Sequence, residues 1–367
     1  MPYIWEHPRW PQLEWDEVAI LTRLSVVRKA QGMLLAEADA LGLEGQAALL
    51  VEESVETAAI EGERLDRDAV RSSVARRLGL PDAGVSRTDR RADGVVRVLV
   101  EATRSWDEPL TPERVLAWHA ALFPDGLSGG AQIRIGSWRD GGDPMQVVSG
   151  PIGRELVHFE APPSERVTQE MGAFFEWWRA SRGAMDGVLR AALAHFRFVT
   201  IHPFDDGNGR LARALTDLAL AEDEKDGRRL YSMSSRIAAE RRDYYAALEG
   251  AQRGKGDVTG FMLWFLGCFE RSLAASRAQI GKALRTDRFW RKHRRTELNE
   301  RQKKVLARLL EAEPEGFEGG LTNRKYVGMT RTSRESAKRD IADLVLKGIL
   351  VPGAGRGRSA SYALRSS

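Results

Sequence analysis

Between residues 15 and 270, apolar side chains recur every three or four positions in runs free of proline and rich in Ala, Leu, Arg and Glu. This helical period constrains the fold more than any other feature of the sequence. The spacing predicts helices over 18–41, 46–63, 91–105, 112–122, 164–180, 187–200 and 211–221. One stretch, 132–159, breaks the period. There Ile133, Ile135, Val147, Val148, Val157 and Phe159 stand among glycines, with Pro144 and Pro151 between them, as a β-hairpin with loops would. The expected fold is mainly α with a small β-hairpin.

A chain of 367 residues has ample material for a core and is a prior for two or three domains. Its single cysteine, Cys268, excludes an intramolecular disulfide framework and a multi-cysteine zinc site, which suits a reducing compartment. The opening residues lack the basic flank and apolar core of a signal peptide. No apolar run approaches the roughly 18 residues of a membrane span. The expectation is a cytoplasmic protein without a membrane partner.

The net charge of +4 hides an asymmetry. Residues 281–367 hold 21 basic and 10 acidic side chains, a net +11, which leaves −7 on residues 1–280. A basic tail on an acidic body raises the prior for a phosphate-bearing partner at the C-terminal end. The character of the chain changes after the apolar run 261–266. Residues 271–298 are polar, Arg-rich and helical in pattern, and residues 317–320 then interrupt the helices, so a boundary is expected near 285–298.

The segment that carries chemistry is His202-Pro203-Phe204-Asp205-Asp206-Gly207-Asn208-Gly209-Arg210, followed by Leu211-Ala212-Arg213. The preceding helix must end before Pro203 and a new apolar period starts at Leu211, so this is a polar loop between helices. Gly207 and Gly209 around Asn208 permit positive φ, which lets successive backbone N–H groups point into one concavity. That concavity lies at a helix N-terminus, where orphan donors and the dipole favour a phosphate. Arg210 and Arg213, three apart, can both fork onto phosphate oxygens. Asp206 offers one carboxylate, too few for a protein cage but suited to Mg²⁺ shared with phosphates and water. His202 can take a proton from an attacking hydroxyl, and Phe204 would anchor the loop in the core. Loop histidines and Asn-Gly turns are common by themselves; the conjunction within twelve residues is what a plain turn does not explain.

These residues resemble the Fic motif, H-x-F-x-[DE]-G-N-G-R-x-x-R, at every fixed position. The resemblance implies a mostly helical domain that transfers AMP from ATP to a Ser, Thr or Tyr hydroxyl of a target protein. It implies His202 as the base, Asp206 as the Mg²⁺ ligand, Gly207, Asn208 and Gly209 as the phosphate nest, and Arg210 and Arg213 as phosphate ligands. It also implies a hairpin flap that aligns the target by strand pairing, for which Met145, Gln146, Val147, Val148 and Ser149 are the candidates; an ordinary hairpin is the alternative. Tyr244 and Tyr245 resemble the tyrosines near the family's nucleotide, or are half-buried core residues.

Thr57-Ala58-Ala59-Ile60-Glu61-Gly62 is similar to the family's inhibitory pattern, [ST]-x-x-x-E-[GN]. Thr57 and Glu61 share one helix face and Gly62 suits a helix terminus. The resemblance implies that Glu61 pairs with Arg213 and fills the γ-phosphate volume. The opening Pro2-Tyr3-Ile4-Trp5 and Trp10-Pro11 resemble the N-terminal region of a Fic subgroup that has an inhibitory helix and a C-terminal winged helix. The expected organisation is a helical region 1–100 with the inhibitory helix at about 46–63, a catalytic core 101–280, a linker helix 281–298 and a winged helix 299–367.

In that last part, helices over 301–312, 321–327 and 333–347 precede a strand, a basic glycine-rich turn and a strand. Thr332 and Glu335 suggest a capping box. Arg334 and Lys338 could reach DNA, with Arg356 and Arg358 meeting phosphates from the turn; a solvated basic helix in an interaction or homo-oligomer module is the alternative. The whole-chain alternatives are a DNA-binding regulator with a nucleotide-sensing Fic-like domain, or a de-AMPylase or other phosphate-group transferase. His119, His158 and His195 are expected in core or surface roles.

Overall fold

The structure is a computed structural model that describes residues 3–81, 88–142, 144–149, 156–313, 316–353 and 360–365. It is mainly helical. The chain divides into two compact units, Met1–Ser276 and Arg277–Ser367.

The first unit opens with α1 (Glu17–Glu37), α2 (Gly42–Ile60), α3 (Arg67–Leu78), α4 (Arg90–Arg104) and α5 (Pro112–Leu122). Two antiparallel ribbons follow, β1 (Leu127–Ser128) with β2 (Ala131–Gln132), and β3 (Gln146–Ser149) with β4 (Leu156–Glu160). Then come α6 (Ser164–Ser181), α7 (Gly187–Ile201), α8 (Asn208–Glu224), α9 (Met233–Ala239), α10 (Arg241–Gln252) and α11 (Thr259–Lys292), whose last residues belong to the second unit. The strand-like stretch thus yields a hairpin from its second half, while Ile133 and Ile135 lie in irregular chain.

At the centre of this unit α7 packs on α8. Every α7 residue from Val188 to Ile201 is buried, Arg190, His195 and Arg197 among them. Asp186 caps its start by accepting from the N–H groups of Val188 and Leu189. The N-terminal helices belong to the same unit because they close this core: α2 buries Leu49, Leu50, Val51, Ala58 and Ile60, and its buried Glu53 accepts hydrogen bonds from Ser232 and Ser234. The region expected as 1–100 is therefore packed with the motif-bearing helices. Near the chain start, Trp5 buries itself with Phe159 and Ala161, flanked by Tyr3, Trp10, Met145 and Val147, and donates from its indole to the Glu160 carbonyl at 2.7 Å. The opening residues thus support the β3–β4 hairpin.

The second unit adds α12 (Glu300–Glu311), α13 (Asn323–Thr330) and α14 (Arg334–Leu346), then the antiparallel pair β5 (Leu350–Pro352) and β6 (Tyr362–Leu364). Its core is Val305, Leu306, Leu309, Leu321, Tyr326, Ala337, Ile341, Leu344, Ile349 and Leu350. Ser333, not Thr332, caps α14: its hydroxyl accepts from the Ser336 N–H, so helical geometry starts one residue later than the capping-box reading requires. Arg334 and Lys338 are exposed on α14. Arg356 and Arg358 lie outside the described residues.

Candidate active site

The loop between α7 and α8 is held in a conformation that its sequence only partly foretells. His202 ends α7 in the left-handed region at φ +52°, a place where glycine is the usual residue. Its backbone N–H donates to the Phe198 carbonyl at 2.9 Å, and its Nδ1 lies 3.1 Å from the Val199 carbonyl. A carbonyl can only accept, so Nδ1 carries the proton and Nε2 is left as the basic atom. Burial holds the His202 pKa below the ordinary imidazole value, and the Arg139 guanidinium pushes the same way. The ring is therefore neutral near pH 7.

Phe204 is fully buried, as its sequence position suggests. Asn208 turns inward: its amide donates to the Phe204 carbonyl at 2.8 Å, and its oxygen accepts from the Phe204 N–H at 3.0 Å. Its contribution to an anion is thus confined to the backbone. Gly207 has φ +84°, and a Cβ there would stand 2.8 Å from the Phe123 ring. Gly209 departs from expectation. It lies within α8 without positive φ, and it is small because a Cβ would stand 2.1 Å from Glu61 Oε1. The first N–H groups of α8, those of Asn208, Gly209 and Arg210, have no preceding helical turn to bond.

Both arginines are engaged from the end of α2. Arg213 is 2% exposed; its Nε donates to Thr57 Oγ1 at 2.7 Å, and its Nη2 donates to the Thr57 carbonyl at 2.8 Å and to Glu61 Oε1 at 2.7 Å. Burial opposes its charge, but the Glu61 carboxylate, together with Tyr244 and Tyr245, raises its pKa on balance. Its Nη1 is buried without a hydrogen-bond partner among the described residues. Gly62, at φ +82°, turns the chain and brings Glu63 to Arg210 at 2.6 Å. Arg210 also lies 3.6 Å from Asp206 and stacks on Phe123, and its Nε has no hydrogen-bond partner among the described residues.

Asp206 is the partly exposed carboxylate of the loop; Ser128 donates to Oδ2 and the Gly207 N–H to Oδ1. Among the described residues no cluster of three or more metal-binding side chains exists. One carboxylate beside one hydroxyl is a hard-oxygen set too small for a cage and fits Mg²⁺ completed by phosphate and water. Behind it, His119 is a positioning group that the sequence does not reveal. Its Nδ1 accepts from the Gly136 N–H at 3.1 Å, so its Nε2 donates to the Asp206 carbonyl at 3.1 Å, and its ring stacks on Phe204 at 3.9 Å. Burial lowers its pKa to about 4.

A cleft of about 530 Å³ opens beside the loop, lined among others by Glu61, His202, Gly209, Tyr244, Tyr245 and the hairpin residues Val147 and Val148. Tyr245 is 38% exposed and Arg241 sits over its ring. Tyr244 is buried, and His195 explains how. The Thr216 hydroxyl donates to the Ala212 carbonyl, so His195 Nδ1–H must donate to Thr216, which leaves Nε2 to accept from the Tyr244 hydroxyl at 2.8 Å. Tyr244 thus lines the cleft while its hydroxyl is bonded to His195. Of the hairpin, β3 pairs among the described residues with β4 alone, in register Gln146 with Glu160 and Ser149 with Leu156, with an irregularity between Val147 and Val148. Met145 packs beneath it, and the Gln146 amide donates to Glu160 at 2.9 Å.

Residues 109–220 match the Fic/DOC family model, and residues 3–80 match a domain of unknown function, DUF4172. The chain carries a Fic/DOC domain. The uridine 5'-monophosphate transferase of Xanthomonas campestris pv. campestris (strain 8004) is 31% identical over 146 residues, 37% of this chain and 26% of that protein. Protein adenylyltransferase fic-1 of Caenorhabditis briggsae is 38% identical over 82 residues, 21% of this chain and 16% of the relative. Protein adenylyltransferase Fic of Nematostella vectensis is 33% identical over 122 residues, 33% and 27% respectively. The matches therefore span about a quarter or less of these relatives' lengths. The crystal structure of a Fic family protein from Desulfovibrio desulfuricans G20 shares the fold, with a TM-score of 0.55 at 20% identity, covering 98% of this chain and 99% of that one. The Fic match ends before Tyr244, and Thr57, Glu61 and Glu63 lie in the DUF4172 segment. Among the described residues no helix is long and apolar enough to cross a membrane.

Proposed function

We propose that the protein is an autoinhibited protein adenylyltransferase that transfers AMP from ATP to a Ser, Thr or Tyr hydroxyl of a target protein, itself included. The observation that carries this reading is the pairing of a neutral His202, with Nε2 free as a base, with two buried arginines at the start of the same Fic-motif helix. The adenylyltransferase relatives support the donor as ATP.

In this reading the triphosphate lies against the N-terminus of α8, with Arg210 and Arg213 forking onto its oxygens. His202 Nε2 accepts the proton of the target hydroxyl as that oxygen bonds to the α-phosphorus and the bond to pyrophosphate breaks. Mg²⁺, held by Asp206, would neutralise phosphate charge. The β3 edge, open on the side away from β4, would pair with an extended target segment and present its hydroxyl. Glu61 holds the Arg213 guanidinium that the γ-phosphate needs, and it lies between that guanidinium and the cleft. Glu63 holds Arg210 in the same way. The brake is thus a competition of carboxylates with phosphates for two cations.

A second donor has its own support, because one relative is a uridine 5'-monophosphate transferase. Intact mass spectrometry of wild-type, Glu61→Gly and Glu61→Gly/His202→Ala protein with Mg-ATP or Mg-UTP decides between them. An AMP increment on the Glu61→Gly protein, lost with His202→Ala, is expected; a UMP increment alone would replace the donor, and no increment with either would remove the transferase reading. For the second unit we propose a winged helix that contacts DNA through Arg334 and Lys338, both exposed on α14.

A further inference from the structure

Arg139 lies in the segment between β2 and β3 and is 4% exposed. No carboxylate among the described residues makes an ion pair with it. Its partners are backbone carbonyls: Nε donates to His202 at 2.7 Å, Nη2 to Pro162 and, at 3.4 Å, to Ile201, and its own N–H donates to Pro203 at 2.9 Å. Three consecutive carbonyls, those of residues 201, 202 and 203, are therefore held by one residue from a different part of the chain. A buried cation with no carboxylate in contact is costly, since burial outweighs the support of the more distant Asp205 and Glu165, and so is a histidine in left-handed backbone. The two costs meet at the same place.

We propose that Arg139 is the positioning residue of the base: its guanidinium clamps the carbonyls of Ile201 and His202, fixes the left-handed turn at His202 and so aims the imidazole into the cleft. This rests on the reading of His202 as the base. The clamp has an electrostatic consequence. The charged groups acting on His202 are Arg139, Glu61 and Asp206; burial and Arg139 favour the neutral ring, whereas the two carboxylates favour the imidazolium. Removing the Arg139 charge therefore lets His202 protonate at higher pH, and a side chain that merely fills space would not do this.

The test uses the full chain carrying Glu61→Gly, so that the brake does not mask the rate, with Arg139→Met, Arg139→Lys and His202→Ala added singly. Arg139→Met is expected to lower kcat by about tenfold or more, with KM for ATP within about twofold, because misaiming a reacting group costs rate before it costs binding. The acid limb of its rate profile is expected to move to higher pH. Arg139→Lys keeps the charge and loses the fork, so kcat falls while the acid limb stays in place. An Arg139→Met protein with unchanged kcat and acid limb, or one whose loss lies in KM alone, would overturn the proposal. If thermal melting shows that Arg139→Met does not fold, Arg139→Lys decides, and kcat equal to the parent overturns the clamp. A fully active His202→Ala protein would instead overturn the base reading, whatever Arg139 does.

Discussion

Glu63 Oε2 stands 2.6 Å from Arg210 Nη1, two residues beyond the Glu61 carboxylate that takes Arg213 at 2.7 Å. The last turn of α2 and the reversal at Gly62 thus lay two acids on the two arginines that open α8. Arg213 is fully buried with a further contact to Thr57, whereas Arg210 keeps Asp206 as a second anion, so the two pairs are unequal.

That inequality sets an order for the variants. Glu61→Gly is expected to raise self-labelling from radiolabelled ATP by about tenfold or more, since among the described residues Arg213 has no other carboxylate in ion-pair contact. Glu63→Ala alone should give a rise of only about two- to threefold, because Asp206 still stands 3.6 Å from Arg210 after Glu63 is gone. An unchanged rate for Glu61→Gly would sink the brake, and a fall in rate for Glu63→Ala would recast Glu63 as a group that aims Arg210.

His202 sets the pH dependence of transfer. Its reactive form is neutral, and its pKa lies below the ordinary imidazole value, so kcat/KM in the Glu61→Gly background should be flat near pH 7 and fall only below about pH 6.5. His202→Ala should abolish transfer and leave ATP binding, measured by calorimetry, close to the parent value. A rate limb that starts above pH 7 would contradict the burial of the ring.

What the sequence makes legible here is what lies close along the chain. His202, Asp206, Arg210 and Arg213 fall within twelve residues around one helix start, and Thr57 and Glu61 share one helix face, so local spacing alone groups them. Glu63 stays hidden because its role depends on the reversal at Gly62, and no periodicity encodes that. His119 and Arg139 stay hidden for a related reason: they reach the loop from 87 and 63 positions away through backbone carbonyls, which carry no residue identity. Gly209 reads as a turn former in the sequence because a missing side chain looks the same whether it frees φ or makes room for a neighbour.

His119 gives a stability test. Its pKa is about 4 in the fold against about 6.5 in the unfolded chain, so between these values the unfolded state binds the extra proton and stability falls as pH falls. The loss reaches about 3 kcal/mol by pH 4, because a tenfold change in proton affinity between the two states is worth about 1.4 kcal/mol. His195, at about 3, adds in the same direction, whereas Asp217 at about 6 and Glu224 at about 7 hold protons in the fold and act oppositely. The informative quantity is therefore the difference from His119→Gln in urea unfolding at pH 7.5 and pH 4.5. That difference should shrink at the lower pH, and a constant difference would contradict a neutral buried His119.

The N-cap of α14 separates two adjacent hydroxyls. Ser333 accepts from the Ser336 N–H at 3.1 Å, so Ser333→Ala should cost about 1 kcal/mol in the unfolding of the C-terminal unit. Thr332→Ala should be close to neutral. The reverse ranking in thermal or denaturant unfolding would restore the capping box at Thr332.

Duplex binding by the second unit is tested through salt. Arg334 and Lys338 lie four apart and exposed on α14, so both can meet one phosphate backbone from a single helix face. If they do, replacing either with Ala should lower the slope of log affinity against log salt by about one. The +11 charge of residues 281–367 would by itself give some salt-dependent retention, so the slope change at these two positions is the discriminating quantity, not retention. A mobility shift whose slope is unchanged in both variants would move the contact off α14, and no shift of duplex DNA at low salt would remove nucleic acid as the partner.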